Sequence, residues 1–353
     1  MRATRRARSA GGSCAKPAGA SPDARMMPMH PRLGAFRAAL LTGWIGLSVA
    51  GWLYARQKNI PLWAAVPLIA AFLVEYSFYL VPGFEPVRQG WRGLLSRPRL
   101  ALVMSLSAVA PYLVYSIPTG EFRWMACAAL AAIIATVSFW YVILRPSPVV
   151  DVLFLALLAG IVLSRSFTHI YTSSVVKDIN ILGHLMLVRT GAFATLELRG
   201  AEGVGFGFLP SQKEWITGIQ YFFYFLPVGF PLGMWMGAVH LNFTAGLLFW
   251  KALAYFFGAL WVLALSEEFF FRGLLQQWIT DWTGNWPLSL IAASLLFGAV
   301  HLPFRVFPNW RLAAVASLAG LVYGLAYRKA GTIRASMVTH ALVVTVWRTL
   351  FVS

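Results

Sequence analysis

Long apolar stretches separated by short polar segments dominate the chain and determine its predicted fold. An α-helix needs about 17–25 apolar residues to cross the hydrocarbon core of a membrane. Stretches of this kind occupy 36–55, 61–81, 100–117, 124–144, 149–163, 219–239, 243–265, 287–301, 312–327 and 332–352. Because 149–163 is short and prolines interrupt 219–239, we predict eight to ten transmembrane helices in an all-α, polytopic integral membrane bundle.

The composition supports a membrane protein and argues against a nucleic-acid-binding one. Hydrophobic residues make up 59% of the chain and charged residues only 12%, whereas soluble domains carry about 25% charged residues. The net charge of +17 arises from Lys and Arg in an N-terminal tail and in short loops, which is the pattern that sets membrane topology. Cys14 lies in the basic tail and Cys127 lies inside an apolar stretch, so no disulfide or cysteine-based metal site is predicted.

Four regions follow from this pattern. We predict a disordered basic tail at 1–35, N-terminal transmembrane helices at 36–164, an extramembrane connector at 165–218, and a C-terminal transmembrane domain at 219–353. A basic tail and the basic loop at 88–99 both favour the cytoplasmic side, and two crossings separate them. A transit peptide would share the composition of the tail. Abundant Ala, Arg and Trp suggest a bacterial protein, so we expect an inner-membrane location with a cytoplasmic N-terminus.

The segment 266–272 places three charges at the end of an apolar stretch, where charge is costly and usually functional. On an α-helix, Glu268 and Arg272 are four residues apart and can form an ion pair. Glu267 points about 100° away and is left without this partner. Glu267 is therefore a candidate general base. The alternative is a spare carboxylate that extends to the membrane interface.

Two histidines and one further glutamate lie in other apolar stretches. His301 ends the stretch that begins at 287, and His340 lies in the last one. A single histidine in such a position is more often a packing residue, but polar residues on three successive hydrophobic helices favour one shared site. Glu75 either lines the same cavity or pairs with a residue on a neighbouring helix.

These residues resemble the three motifs of the CPBP family of intramembrane proteases, which includes the type II CAAX prenyl endopeptidases. The motifs are Glu267-Glu268-x-x-x-Arg272, Phe297-x-x-x-His301 and His340, all within 250–350. The resemblance implies hydrolysis of a peptide bond in or near the membrane.

The same resemblance assigns a role to each residue. It implies that Glu267 and His301 activate a water molecule and that Glu268 and Arg272 support them. His340 would stabilise the oxyanion of the tetrahedral intermediate, since a donor in a dry site is worth several kcal/mol. Many family members carry Asn four residues after this histidine. Here that position is Val344, which cannot donate a hydrogen bond, and Thr345 faces about 100° away.

The sequence leaves the cofactor open. Two histidines and a glutamate could hold Zn²⁺ with one position for water, which makes Glu267, His301 and His340 candidate ligands. The chain lacks the His-Glu-x-x-His motif of many zinc peptidases, and the family has been described both with and without metal. No cofactor is therefore assigned.

Three hypotheses of function remain. The first is a CAAX-protease-like intramembrane endopeptidase, whose partners are the lipid bilayer and a peptide or protein substrate, lipidated or not. The second is a non-catalytic membrane interaction or immunity protein that retains the fold, which Val344 favours. The third is a proton-coupled transporter that uses Glu75, Glu267 and Glu268, but the chain shows no internal repeat.

Overall fold

The computed structural model describes residues 30–242 and 248–352. Most of the predicted basic tail, 1–35, lies outside these ranges. In the first half, the described helices are α1 (His30–Gln57), α2 (Leu62–Tyr79), α3 (Glu85–Leu94), α4 (Arg97–Ser116), α5 (Trp124–Ile143), α6 (Pro148–Leu163), α7 (Ser166–Ile170) and α8 (Ile181–Phe193). A 3₁₀ turn, Val81–Gly83, lies between α2 and α3, and a π-helical segment, Ala194–Arg199, extends α8.

In the second half, one long helix precedes the last three helices of the bundle. The helices are α9 (Gln212–Trp235), α10 (Leu248–Gly258), α11 (Leu265–Glu268), α12 (Gln277–Thr283), α13 (Trp286–Ala299), α14 (Trp310–Ala330) and α15 (Ile333–Leu350). Two π-helical segments, Ala259–Ala264 and Phe269–Gln276, join α10, α11 and α12 into one continuous helix. We call this helix the motif helix. Two-residue strands, β1 (His240–Leu241) and β2 (Phe351–Val352), pair antiparallel.

The predicted all-α membrane bundle is confirmed. Within the described residues, seven helical segments are long and apolar enough to span a membrane, and α6 and α13 are shorter apolar helices. The seven are Leu33–Gln57, Leu62–Gly83, Arg97–Ser116, Trp124–Ile143, Ile181–Arg199, Phe249–Thr283 and Trp310–Ala330. These segments make the chain an integral membrane protein, and the number of crossings between eight and ten stays a prediction.

Local sequence signals define where several helices begin and end. The Ser211 hydroxyl accepts from the Glu214 amide while the Glu214 carboxylate accepts from the Ser211 amide, which forms a capping box at the start of α9. Asn285 and Asn309 cap α13 and α14 through their side-chain oxygens. Gly331 ends α14 in the left-handed conformation that favours glycine.

The stretch predicted as an extramembrane connector, 165–218, contains α8, which the sequence analysis missed. Helix α8 and its π-helical extension, Ile181–Arg199, are largely buried and apolar enough to span a membrane. The helix was not predicted because the charged Arg189 interrupts the apolar stretch in the sequence. The domain boundaries themselves stay predictions.

Arg189 is tolerated inside α8 because Glu75 on α2 neutralises it. Both side chains are fully buried, and Arg189 donates through Nε and Nη2 to the two Glu75 carboxylate oxygens at 2.6 and 3.2 Å. Its Nη1 donates to Ser107 on α4 at 3.0 Å. Glu75 therefore has a helix-packing partner in the N-terminal half, which decides between the two roles that the sequence left open.

Three apolar clusters fill the bundle. One packs α2, α4, α5, α6 and α8 together, the second surrounds the motif helix, and the third joins α9, α14 and α15. The antiparallel pair α13 and α14 lies against the motif helix, and α15 packs against α9, α14 and the motif helix. This packing brings the motif helix, the end of α13 and the middle of α15 to one place.

We expect Arg189→Met to lower the free energy of unfolding by about 3–5 kcal/mol, because it leaves the Glu75 carboxylate buried without a counter-charge. The double variant Glu75→Met and Arg189→Met should recover most of this loss. Denaturant titration in detergent micelles measures both, with the exposed Arg145→Met as the matched control. Equal losses in the single and double variants would contradict the ion-pair account.

Candidate active site

The motif helix carries the two adjacent glutamates on a short α-helical turn between two π-helical segments. Leu265–Glu268 is α-helical, and Ala259–Ala264 and Phe269–Gln276 on either side are π-helical. Widened turns of this type occur frequently at functional sites. Glu267 and Glu268 lie near the middle of the apolar segment Phe249–Thr283, where charge must be paired or functional.

Glu268 lies in the protein interior and holds two partners with one oxygen. Its Oε1 accepts from Arg272 Nη1 at 3.1 Å and lies 2.8 Å from His340 Nδ1. The side chains of Glu268 and Arg272 are 0% exposed. The predicted contact between Glu268 and Arg272 is therefore present, and His340 joins it from α15.

Arg272 is enclosed by aromatic rings and by a backbone carbonyl of α14. Its Nη2 donates to the Gly320 carbonyl at 3.0 Å. The guanidinium carbon lies 4.6 Å from the centre of the Phe297 ring and 5.3 Å from that of Tyr323. A cation gains from the negative faces of such rings in a desolvated place. These contacts link the motif helix to both α13 and α14.

His340 has a carboxylate facing each ring nitrogen. Nδ1 lies 2.8 Å from Glu268, and Nε2 lies 3.8 Å from Glu267 Oε2. Its ring stacks on Tyr323 at a centroid distance of 4.6 Å and an interplanar angle of 18°. Because Glu268 is an acceptor, Nδ1 carries the proton in this contact. The ring is thus fixed in both position and orientation.

Glu267 differs from Glu268 in exposure and in contacts. Its side chain is 28% exposed, and within the described residues its one ion-pair contact is with His340. A separation of 3.8 Å is too long for a direct hydrogen bond and suits two groups that share one water molecule or one reacting oxygen. The carboxylate that helical geometry left free is therefore the accessible one.

His301 follows the end of α13 and does not contact Glu267. Its Nδ1 lies 2.7 Å from the Phe297 carbonyl, and its ring centre lies 5.0 Å from that of Phe297. Within residues 30–242 and 248–352, no hydrogen bond or ion pair joins His301 to Glu267. Thr280 contacts Ser289 and Phe271 contacts Phe297 across the antiparallel helices, so the next turn puts His301 level with Glu268.

No hydrogen-bond donor stands where many family members have Asn. Val344 packs against the apolar cluster around the motif helix. The Thr345 hydroxyl donates to the Ala341 carbonyl at 2.7 Å, so its proton is used within α15.

The candidate zinc ligands do not form a metal site in the described parts of the chain. No group of three or more His, Cys, Asp or Glu residues there lies close enough to hold a metal ion. Glu267 and His340 approach each other, but His301 stands apart, with Nδ1 on a backbone carbonyl. The arrangement therefore does not fit Zn²⁺, and the chemistry below uses protein groups alone.

Sequence reasoning missed the residues that hold the network from α14. Tyr323 stacks on His340, and the Gly320 carbonyl accepts from Arg272. Glycines at 320 and 324, four residues apart, are a sequence signal for close helix packing. At Gly320 a Cβ atom would lie 3.0 Å from the Ser294 backbone and 3.3 Å from Arg272 Nη2.

A family model matches the C-terminal part of the chain, and one curated protein matches a short segment of the chain. Residues 248–346 match the family model of Type II CAAX prenyl endopeptidase Rce1-like proteins. A segment of 82 residues is 33% identical to the Uncharacterized protein YpbD of Bacillus subtilis (strain 168), over 23% of this chain and 38% of that protein. No solved structure matches.

The matched segment contains Glu267, Glu268, Arg272, His301 and His340. The resemblance drawn from the three motifs is thereby confirmed for this segment, which matches the Type II CAAX prenyl endopeptidase Rce1-like family model. The match leaves the residues before 248 uncovered.

We expect Gly298→Ala to lower the free energy of unfolding by about 1–3 kcal/mol, because overpacking separates α13 from α14. The added Cβ would lie 1.9 Å from Ser317 Oγ and 2.5 Å from the Ala313 carbonyl oxygen. Gly160→Ala is the matched control. Gly160 lies in α6 with nothing within 4 Å of its Cβ position, so this change should stabilise the helix by about 0.5–1 kcal/mol. Equal effects in both variants would contradict the close packing.

Proposed function

We propose that the chain is an intramembrane endopeptidase that hydrolyses a peptide bond with a water molecule held between Glu267 and His340. One observation carries the proposal. Glu267 Oε2 and His340 Nε2 face each other across 3.8 Å, while Glu268 holds His340 through Nδ1 from the opposite side. A carboxylate that orients an imidazole, which in turn faces the reacting group, is a recurrent catalytic arrangement.

In the first step, Glu267 acts as general base. Its carboxylate takes a proton from the water, and the water oxygen attacks the carbonyl carbon of the scissile peptide bond. Of the two adjacent glutamates, Glu267 alone suits this role. Glu268 is buried and already accepts from Arg272 and His340, whereas Glu267 is 28% exposed.

In the second step, the oxyanion on the former carbonyl oxygen needs a donor. A protonated His340 donates from both nitrogens, to Glu268 through Nδ1 and to the oxyanion through Nε2. The carbon–nitrogen bond then breaks, and Glu267 returns its proton to the leaving amine.

We propose that His301 assists at the same place. The resemblance pairs it with Glu267, and helix register puts it level with Glu268. Its Nδ1 is held by the Phe297 carbonyl, and in the described residues its Nε2 has no hydrogen-bond partner. That nitrogen is available to the water or to the substrate, so His301 and His340 are both proposed to serve Glu267.

The depth of the site supports a substrate in or beside the bilayer. Glu267 lies near the middle of an apolar segment of 35 residues, which exceeds the thickness of the hydrocarbon core. We propose a membrane-inserted or lipidated peptide as substrate. The predicted bacterial inner membrane and cytoplasmic N-terminus remain part of this proposal.

A second candidate function is a non-catalytic membrane protein that retains the fold. Val344 favours it, because the usual Asn is replaced by an apolar residue that packs against its neighbours. The two candidates differ in what loss of the Glu267 carboxylate does to other membrane proteins.

We expect Glu267→Gln to leave the protein folded and to abolish cleavage, because an amide cannot accept the proton from water. Comparative proteomics of membrane fractions from cells that carry the wild-type or the variant protein should reveal a peptide that accumulates uncut in the variant. The exposed Glu85→Gln is the matched control, since Glu85 lies in α3, away from the motif helix.

His340→Ala should lower the cleavage rate by about 100-fold or more, as loss of an oxyanion donor does. The assay is hydrolysis of the accumulating peptide by purified protein in detergent.

Identical peptide profiles for wild type and Glu267→Gln would favour the non-catalytic candidate. Full activity of Glu267→Gln would overturn the proposed mechanism.

A further inference from the structure

A buried polar stripe runs along the motif helix from the candidate site to one end of the bundle. Glu268, Arg272, Gln276 and Thr280 follow one another at intervals of four residues. Three of them contact neighbouring helices at successive turns. On α14, Arg272 donates to the Gly320 carbonyl and Gln276 lies 3.5 Å from the Gly324 carbonyl. On α13, the Ser289 hydroxyl lies 2.6 Å from the Thr280 hydroxyl. We call these four residues the polar stripe.

The polar stripe contains an unusual row of buried polar atoms without partners. Glu268 Oε2, Arg272 Nε and Gln276 Oε1 are buried and make no hydrogen bond within the described parts of the chain. Trp286 Nε1, at the far end of the row, is in the same state. Buried polar atoms in proteins are nearly always paired, either with protein groups or with bound water. One explanation that serves all four atoms is a row of water molecules.

The polar stripe ends in a cavity of about 240 Å³ at the surface of the bundle. Its polar lining includes Gln276, Gln277, Thr280, Asp281, Tyr327 and Arg328. Gly203 also lines it, a few residues after Glu197, which binds Arg88 and Arg92 of the basic helix α3. The cavity therefore opens at the basic end of the bundle, where a solvated surface meets the polar stripe.

The site needs such a connection. At 1.5 Å per residue, Glu267 lies roughly 24 Å along the helix from Thr283. At that depth, an exposed side chain faces acyl chains unless a polar path reaches it. Hydrolysis consumes one water molecule for each bond cleaved, so the water must be replaced from outside.

We propose that the polar stripe binds a row of water molecules that connects the cavity to Glu268 and supplies the water for hydrolysis. The supply role rests on the proposed function, but the hydration of the stripe does not. Gln276 is a positioning residue in this account, since its amide joins the cavity to the buried part of the stripe. A Cβ atom at position 324 would lie 2.7 Å from Gln276 Oε1, so the glycine at this position leaves room for the Gln276 amide.

A dry alternative makes a different prediction from the same residues. Polar side chains that hydrogen-bond across helices stabilise membrane bundles without water. In that case the aromatic rings beside Arg272 stay inaccessible to water, and an apolar residue at 276 leaves activity intact. The hydrated and the dry stripe therefore differ in whether water reaches the aromatic rings beside Arg272, which can be measured directly.

Hydroxyl radicals made by X-ray radiolysis of water provide the test, because they oxidise aromatic side chains beside bound water. Tyr323 and Phe297 flank Arg272 and are almost fully buried. We expect mass spectrometry of the full-length protein in detergent to show both oxidised at least about tenfold faster than Phe154, which is equally buried in the N-terminal half. Gln276→Leu should remove this excess, whereas Gln276→Asn, which keeps an amide, should retain part of it.

Thermal unfolding of the same samples shows that each variant is folded. Should Gln276→Leu fail to fold, Thr280→Val replaces it, since Thr280 lines both the cavity and the stripe. Oxidation of Tyr323 and Phe297 as slow as that of Phe154 would overturn the proposal, and so would an excess that the apolar variant does not reduce.

The supply role has its own readout. Gln276→Leu should lower kcat by about tenfold with KM little changed, because the variant limits the arrival of water and not the binding of substrate. Radical labelling is repeated on Glu267→Gln, which needs no activity. Labelled rings in a wild-type protein that shows no protease activity would contradict the proposed function and leave the hydrated stripe supported. Unlabelled rings in an active protease would do the reverse.

Discussion

A buried charge that must be neutralised governs the C-terminal half of this protein. Arg272 is fully enclosed, and the desolvation of a guanidinium is repaid only where its partners are well placed. Glu268 supplies the counter-charge, the Gly320 carbonyl accepts a second bond, and the rings of Phe297 and Tyr323 cover the cation. These partners come from three different helices, so a single charge fixes how the helices meet.

That constraint also produces the chemistry proposed for the site. Since Glu268 is occupied by Arg272, it can hold His340 but cannot act as a base. His340 is thereby oriented with Nε2 toward Glu267. The adjacent glutamates thus differ in function because they differ in partners. The N-terminal half solves the same electrostatic problem with Glu75 and Arg189, yet there both charges are satisfied by each other and by Ser107, and no carboxylate remains free.

The sequence predicted those features that depend on a single helix. Hydrophobic stretches predicted most helices to within a few residues, and four-residue spacing predicted the contact between Glu268 and Arg272. It failed where the answer depends on another helix. Helix α8 was missed because Arg189 looks too polar until Glu75 is opposite it. Tyr323 and Gln276 were missed since neither belongs to a motif, and the proximity of His340 to both glutamates depends on how α15 packs. The separation of His301 from Glu267 depends likewise on the end of α13.

The central claim is that two adjacent glutamates have different roles. The most direct test measures thermal unfolding and peptide cleavage side by side on Glu267→Gln and Glu268→Gln. Glu268→Gln leaves Arg272 buried without a counter-charge, so its free energy of unfolding should fall by about 3–5 kcal/mol. Glu267→Gln should unfold like the wild type and cleave nothing. An equal loss of stability in both variants, or cleavage by a folded Glu267→Gln protein, would contradict the account.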